Sequence, residues 1–269
     1  MASTVDLNDE AGRRGAKLRI LVTRLRYLGD VLLPTPAVAA LKGRYPDAEI
    51  DYATEGPYAD VLEGNPHIGR VIRLSREARR AGGEIAKIRS LRYTACIDLF
   101  YNPRSALLLF LSRIPIRAGG SKKLRGKLYT HRFSVPPETR SAAMHHVRAM
   151  GVFGVEARDS LPRVHLRQDE LDAGAGILER TVGKRESGRR IIAMHPGGTW
   201  QSKRWSPGSF AKLAVLLRER IDAETVVIAG PGEERIAAQV AAEAGGAVRA
   251  LHAAVRCELD SPVPAGDAG

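Results

Sequence analysis

Across residues 18–111, short apolar runs alternate with helix-patterned segments over connections of a few residues. That alternation restricts the fold more than any single motif. It calls for parallel strands joined by helical crossovers, an α/β fold with a doubly wound parallel sheet. Residues 18–23, 49–53, 70–74 and 95–99 read as strands, and residues 36–44, 57–63, 77–92 and 104–111 as helices. Gly82-Gly83 weakens the third of these helices. In such a sheet ligands bind outside the carboxyl ends of the strands. Asp30 and Asn102 each follow such an end, which makes them site candidates on topology alone.

Helices at residues 141–151 and from about 168 follow, with a domain link between, and a second alternating unit begins at Arg190. The strand-like Ile191-Ile192-Ala193-Met194 runs into His195-Pro196-Gly197-Gly198-Thr199-Trp200-Gln201-Ser202-Lys203-Arg204-Trp205. Ser206 as N-cap and Pro207 at the first helical position then open a helix. Glycines let backbone N–H groups approach an anion, the helix start adds positive potential, and Lys203 and Arg204 add full charges. The loop therefore reads as a seat for a phosphate group, a nucleotide diphosphate above all. The plainer reading is a strand–helix junction with a solvated Lys-Arg pair, and the loop alone leaves both open. Neither G-x-x-x-x-G-K-[ST] nor G-x-G-x-x-G occurs, so any nucleotide site is of another kind. After a strand at 225–229, Glu233 and Glu234 stand at a helix start, where they either complement the macrodipole or bond a ribose. Two such units facing one another form a cleft of the kind that holds small ligands.

Charge narrows the choice of partners. The 269 residues carry 42 Lys+Arg against 30 Asp+Glu, a formal charge of +12, which favours acidic partners. Nucleic acid is a weak candidate, because aromatics make up 5% and no RNP, helix-turn-helix or zinc pattern occurs. The run at residues 117–132, with Lys122, Lys123, Arg125 and Lys127, reads as an exposed loop. It is either solvated surface or a clamp for an anionic acceptor. Cys96 and Cys257 form no C-x-x-C pair, and the histidines have no ligand spacing, so no metal is implied. Only two cysteines, far apart in sequence, fit a reduced cytoplasmic setting. Residues 1–17 are polar, lack a signal-peptide core and are expected to form a disordered tail. The longest apolar run, residues 106–111, is too short to span a bilayer, so membrane contact is expected only at the periphery.

Several spaced motifs together resemble glycosyltransferase family 9, the ADP-heptose:lipopolysaccharide heptosyltransferases. They are Arg24…Leu28-Gly29-Asp30…Pro36, then Ile97-Asp98-Leu99…Asn102…Arg104-Ser105-Ala106, then His195-Pro196-Gly197…Ser202-Lys203-Arg204-Trp205. The resemblance implies a GT-B-like fold: two Rossmann-like doubly wound domains, an acceptor domain at residues 18–165 and a nucleotide-sugar domain at 166–250. It implies a metal-independent, inverting glycosyltransferase that moves heptose from ADP-heptose to the acidic lipopolysaccharide inner core at the inner membrane face. By position, Asp30 matches the catalytic base and Lys203 the residue that neutralises the diphosphate. Gly198 and Thr199 match phosphate contacts, and Glu233 falls near the ribose. No D-x-D occurs, and no cofactor is implied beyond the donor substrate.

The chain departs from the family after Gly245-Gly246, where the expected D-[ST]-G-P-x-H motif is missing and residues 251–269 read as an irregular tail. The second domain is therefore expected to be incomplete. The alternative reading is a catalytically impaired, truncated member that keeps only acceptor or anionic-surface binding.

Overall fold

The computed structural model describes residues 4–120, 124–156, 161–183, 190–198 and 200–251. It divides into two compact units, Met1–Leu166 and Arg167–Gly269.

In the first unit six parallel strands run in the order β3-β2-β1-β4-β5-β6. They are β1 (Arg19–Thr23), β2 (Glu49–Glu55), β3 (Arg70–Leu74), β4 (Ala95–Asp98), β5 (Ile116–Gly120) and β6 (His131–Phe133). Strand order reverses between β1 and β4, and the crevice of a doubly wound sheet lies at that point. Ile20, Leu21 and Val22 of β1 are fully buried, because helices cover both faces of the sheet. This is why β1 reads as a continuous apolar run, each such side chain stabilising the fold by about 1.5–3 kcal/mol. One core joins Ile20, Val22 and Ile97 to α3 (Thr35–Arg44) and α6 (Ala142–Ala149). The other joins Leu21 and Cys96 to α4 (Ala81–Ser90) and α5 (Pro103–Leu111). A five-residue helix, α2 (Leu28–Leu32), connects β1 to α3.

Three expectations need correction here. The amino-terminal tail contains a helix, α1 (Leu7–Arg13), capped by Asp6 and anchored by buried Leu7 and Ala11. The Leu7 N–H donates to Tyr45 Oη at 3.2 Å, and that hydroxyl donates to the Phe153 carbonyl at 2.8 Å. Leu7 and Ala11, one turn apart, dock the segment together with Val5, whose N–H donates to the Val152 carbonyl at 3.0 Å, and with the Asp6–Arg44 ion pair. Residues 57–63 form two 3-10 turns, Gly56–Tyr58 and Asp60–Leu62, in place of an α-helix. The basic run is not a loop throughout: it contributes β5, a 3-10 turn at Leu124–Leu128 and β6. Lys122 and Lys123 lie outside the described residues.

The second unit holds α7 (Gln168–Val182) and a three-stranded parallel sheet ordered β7-β8-β9. Its strands are β7 (Arg190–Met194), β8 (Ala223–Ile228) and β9 (Val248–Leu251), with crossovers α8 (Pro207–Ile221) and α9 (Glu234–Glu243). Ala211, Ala214, Val227 and Val240 form its core. Among the described residues β7 pairs only with β8, leaving Ile191 and Ile192 half-buried and Ala193 exposed. The tail expected at residues 251–269 lies outside the described residues from position 252 onward.

Candidate functional site

Asp30 is the third residue of α2, immediately beyond the carboxyl end of β1. Its Oδ1 pairs with Arg24 Nη2 at 2.8 Å, and its Oδ2 accepts the Tyr27 N–H at 3.2 Å. The second contact is the return half of a capping box, so the helix-end role and a site role coincide in one carboxylate. The side chain stays 39% exposed, and the group is both oriented and reachable. Arg24 is fixed in turn by donating Nη1 to the Leu99 carbonyl at 3.2 Å and by stacking over Phe100 at 4.9 Å. These contacts join the ends of β1 and β4, the two strands at the switch point. Asn102 caps α5, its Oδ1 accepting the Ser105 N–H at 2.8 Å.

Behind this corner His146, on α6, is buried, and among the described residues its Nδ1 has no hydrogen-bond partner. Burial, reinforced by the Arg24 charge, holds its pKa down at about 3, so the imidazole is neutral. Asp98, at the end of β4, is also buried. Its carboxylate accepts the Thr23 hydroxyl (3.0 Å), the Phe100 and Tyr101 N–H groups (3.0 and 2.9 Å) and the Tyr129 hydroxyl (2.7 Å). Burial raises its pKa against these bonds. Its work is to shape the turn after β4.

The sequence reading missed an arginine cluster on the same edge. Glu55, buried at the end of β2, receives Arg76 Nε at 2.6 Å and Arg104 Nη1 at 2.8 Å. Arg76 also donates to Tyr58 Oη, and Arg104 to the Ser75 carbonyl. Arg26 lies over the rings of Tyr27 and Phe100 at 5.7 and 5.9 Å. Glu84 Oε2 lies 3.9 Å from Arg104 Nη2, so two carboxylates balance these two guanidiniums and Arg26 adds a further positive charge. Its members stand on separate elements, Glu55 at the end of β2, Arg76 after β3 and Arg104 in the first turn of α5, so the motif that includes Arg104 does not announce the cluster. The basic run is used differently: Arg117 is tied to the Ile114 and Leu128 carbonyls, and Arg132 to that of Gly126.

In the second unit the glycine loop follows β7 as read, with Ser206 accepting the Ser209 N–H and Pro207 opening α8. Gly198 has φ 142°, a conformation that calls for glycine. Its N–H donates to Glu233 Oε1 at 2.7 Å, while Glu233 Oε2 accepts the Gly230 N–H at 3.1 Å and lies 3.3 Å from His195 Nε2. Glu233 thus fills the glycine loop with its own carboxylate, and a Cβ on Gly197 would overlap it. The loop does receive an anionic group through its N–H, and here that group is internal. Arg204 Nε binds the Gly198 carbonyl at 2.6 Å, holding the loop shut on its other side. Lys203 is exposed at the end of the 3-10 turn Gln201–Lys203. Thr199 lies outside the described residues. The loop, Lys203 and Glu233 therefore share one end of this sheet, and Asp30 belongs to the first unit.

A larger cavity of the first unit, about 750 Å³, runs along α3 past His67 and His165 and includes none of these residues. Among the described residues no cluster of His, Cys, Asp or Glu is arranged to hold a metal ion, and no helix is long and apolar enough to cross a membrane.

The profile of glycosyltransferase family 9 (heptosyltransferase) matches residues 85–255. Lipopolysaccharide heptosyltransferase 3 of Escherichia coli is 24% identical over 225 residues, which are 79% of this chain and 64% of the relative. The chain thus spans just under two thirds of that relative's length. Among solved structures, a glycosyl transferase family 9 protein from Veillonella parvula superposes with TM-score 0.77 at 24% identity, covering 90% of this chain and 69% of the other. Escherichia coli heptosyltransferase WaaC with ADP gives TM-score 0.68 at 19% identity, covering 87% and 74%.

Proposed function

The chain belongs to glycosyltransferase family 9 and has the GT-B fold, and from that premise we propose that it transfers heptose from ADP-heptose to an acidic lipopolysaccharide-core acceptor. The observation that carries this reading is Asp30: a reachable carboxylate, held from two sides, at the switch point of the first sheet. In the proposed reaction Asp30 takes the proton of the acceptor hydroxyl. The acceptor oxygen then attacks the anomeric carbon from the face opposite the leaving ADP, and the configuration inverts. Arg26 supplies positive charge for the acceptor's carboxylates or phosphates, beside the paired Glu55–Arg76–Arg104–Glu84 network. On the donor side Lys203 and the N–H groups at Gly198 and Thr199 take the charge of the departing diphosphate. Glu233 exchanges its bond to Gly198 for one to the ribose. With Lys203 in that role the reaction needs no metal ion, and turnover should persist in EDTA.

The solved WaaC–ADP complex in the same fold supports ADP as the nucleotide. An acceptor of that kind would bring the protein to a membrane surface, a setting that its positive charge suits.

The test is release of ADP from ADP-heptose in the presence of a heptose-free core acceptor. Asp30→Ala should lower turnover by roughly 10²–10⁴-fold while leaving ADP affinity intact. Lys203→Ala should weaken ADP binding by about ten-fold in a calorimetric titration. Equal turnover by the wild type and the Asp30 variant would overturn the assignment.

A further inference from the structure

At the amino ends of β4 and β5, the sheet edge opposite Asp30, a concavity of about 260 Å³ is lined by Arg14, Arg89, Arg92 and Arg113 and by no acidic residue. Its floor is apolar, made by buried Ile88, Tyr93 and Ile114. Two of the four cations are committed. Arg14 pairs with Glu10 at 2.8 Å, and Arg89 donates to the Leu111 carbonyl at 2.6 Å. Among the described residues, the guanidiniums of Arg92 and Arg113 have no hydrogen-bond or ion-pair partner.

The backbone makes these two arginines unusual. Each stands one residue beyond the C-cap of its helix, Arg92 after Leu91 of α4 and Arg113 after Ser112 of α5. Their φ angles are 50° and 57°, the left-handed conformation that glycine usually supplies at this position. Attraction to a helix carboxyl end accounts for a cation near either helix. It does not account for two disfavoured arginines converging on one concavity beside two more.

We propose that this concavity binds a phosphoryl group, carried by a small phosphate ester or by a phospholipid headgroup. Forked guanidiniums match the oxygens of phosphate in pairs, and a dianion offsets the mutual repulsion of Arg89, Arg92 and Arg113, which have no carboxylate partner among the described residues. The volume admits one phosphate with a small organic substituent against the Tyr93 and Ile114 floor. The site is separate from the Asp30 edge and does not depend on the transferase reading.

The test compares the full-length chain with Arg92→Gly/Arg113→Gly, which removes both charges while placing glycine where the backbone favours it. Inorganic phosphate is titrated into both at low salt, each also carrying Lys203→Ala so that uptake by the glycine loop is weakened equally in both. We expect saturable binding that weakens at least about ten-fold in the double glycine variant, whose Tm holds or rises. Unchanged affinity, or no saturable binding by the parent, would overturn the proposal. Sedimentation with phosphatidylglycerol vesicles against phosphatidylcholine vesicles separates the sources. Loss of vesicle binding in the glycine variant assigns a lipid headgroup. Vesicle binding that ignores Arg92 and Arg113, alongside the phosphate loss, assigns a soluble ester.

Discussion

His146 shows how one buried side chain sets a pH limit on the fold. Its pKa lies near 3 in the native state and near the ordinary value of about 6.5 in the unfolded chain. The unfolded state therefore gains a proton first as pH falls. The stability present above about pH 6.5 is lost between there and about pH 3, at up to ~1.4 kcal/mol per pH unit. Replacing His146 with Phe should flatten that stretch of a urea-denaturation pH series, whereas an unchanged slope would assign the loss to other groups. Gly119 makes a second case. The Tyr129 ring lies where a Cβ on Gly119 would be, and the Tyr129 hydroxyl reaches Asp98 at 2.7 Å. Gly119→Ala must push the ring aside, so a destabilisation of about 1–3 kcal/mol is expected by urea denaturation. Neither residue could have been singled out from the sequence, because each acquires its meaning from a neighbour on another element.

Elements were legible in proportion to how strongly their own residues speak. β1 and β3 sit where the apolar runs place them, and α8 begins at the Ser206-Pro207 signal. β5 and β6 were not legible, since glycines and arginines there mask a strand pattern and the partners come from β4 and from each other. The same holds for β9, whose residues follow Gly245-Gly246, where the sequence reading names no strand. Asp30 stands out because it belongs to a motif, whereas of the Glu55–Arg76–Arg104 cluster only Arg104 does, and its partners come from other elements. Caps offer a direct test at this scale. Asn102→Ala removes the acceptor for the Ser105 N–H and should cost about 1 kcal/mol. Asn102→Asp should restore most of it. A thermal-melt series resolves the three proteins.

At the scale of the molecule, the two units differ in how well each is closed. The first has helices on both faces of a six-stranded sheet, and both of its cores lie within residues 1–166. It should fold alone, and a fragment of those residues should melt in one cooperative transition. Gradual, non-cooperative loss of its circular dichroism would show that it needs the rest of the chain. The second unit has one small core and a helix, α7, with no buried residue. It should be the first to open, seen as faster amide exchange in β7 than in β1.

The half-covered β7 edge has a colloidal consequence. A strand that among the described residues has one row of unpaired N–H and C=O groups, and that carries half-buried Ile191 and Ile192, is a template for another strand. The solubility ceiling of preparations of this polypeptide should then be set by that edge and depend on protein concentration, despite a net charge that keeps molecules apart. Ala193→Lys, at the exposed position of the strand, should raise the ceiling, in the way gatekeeper charges protect natural sheet edges.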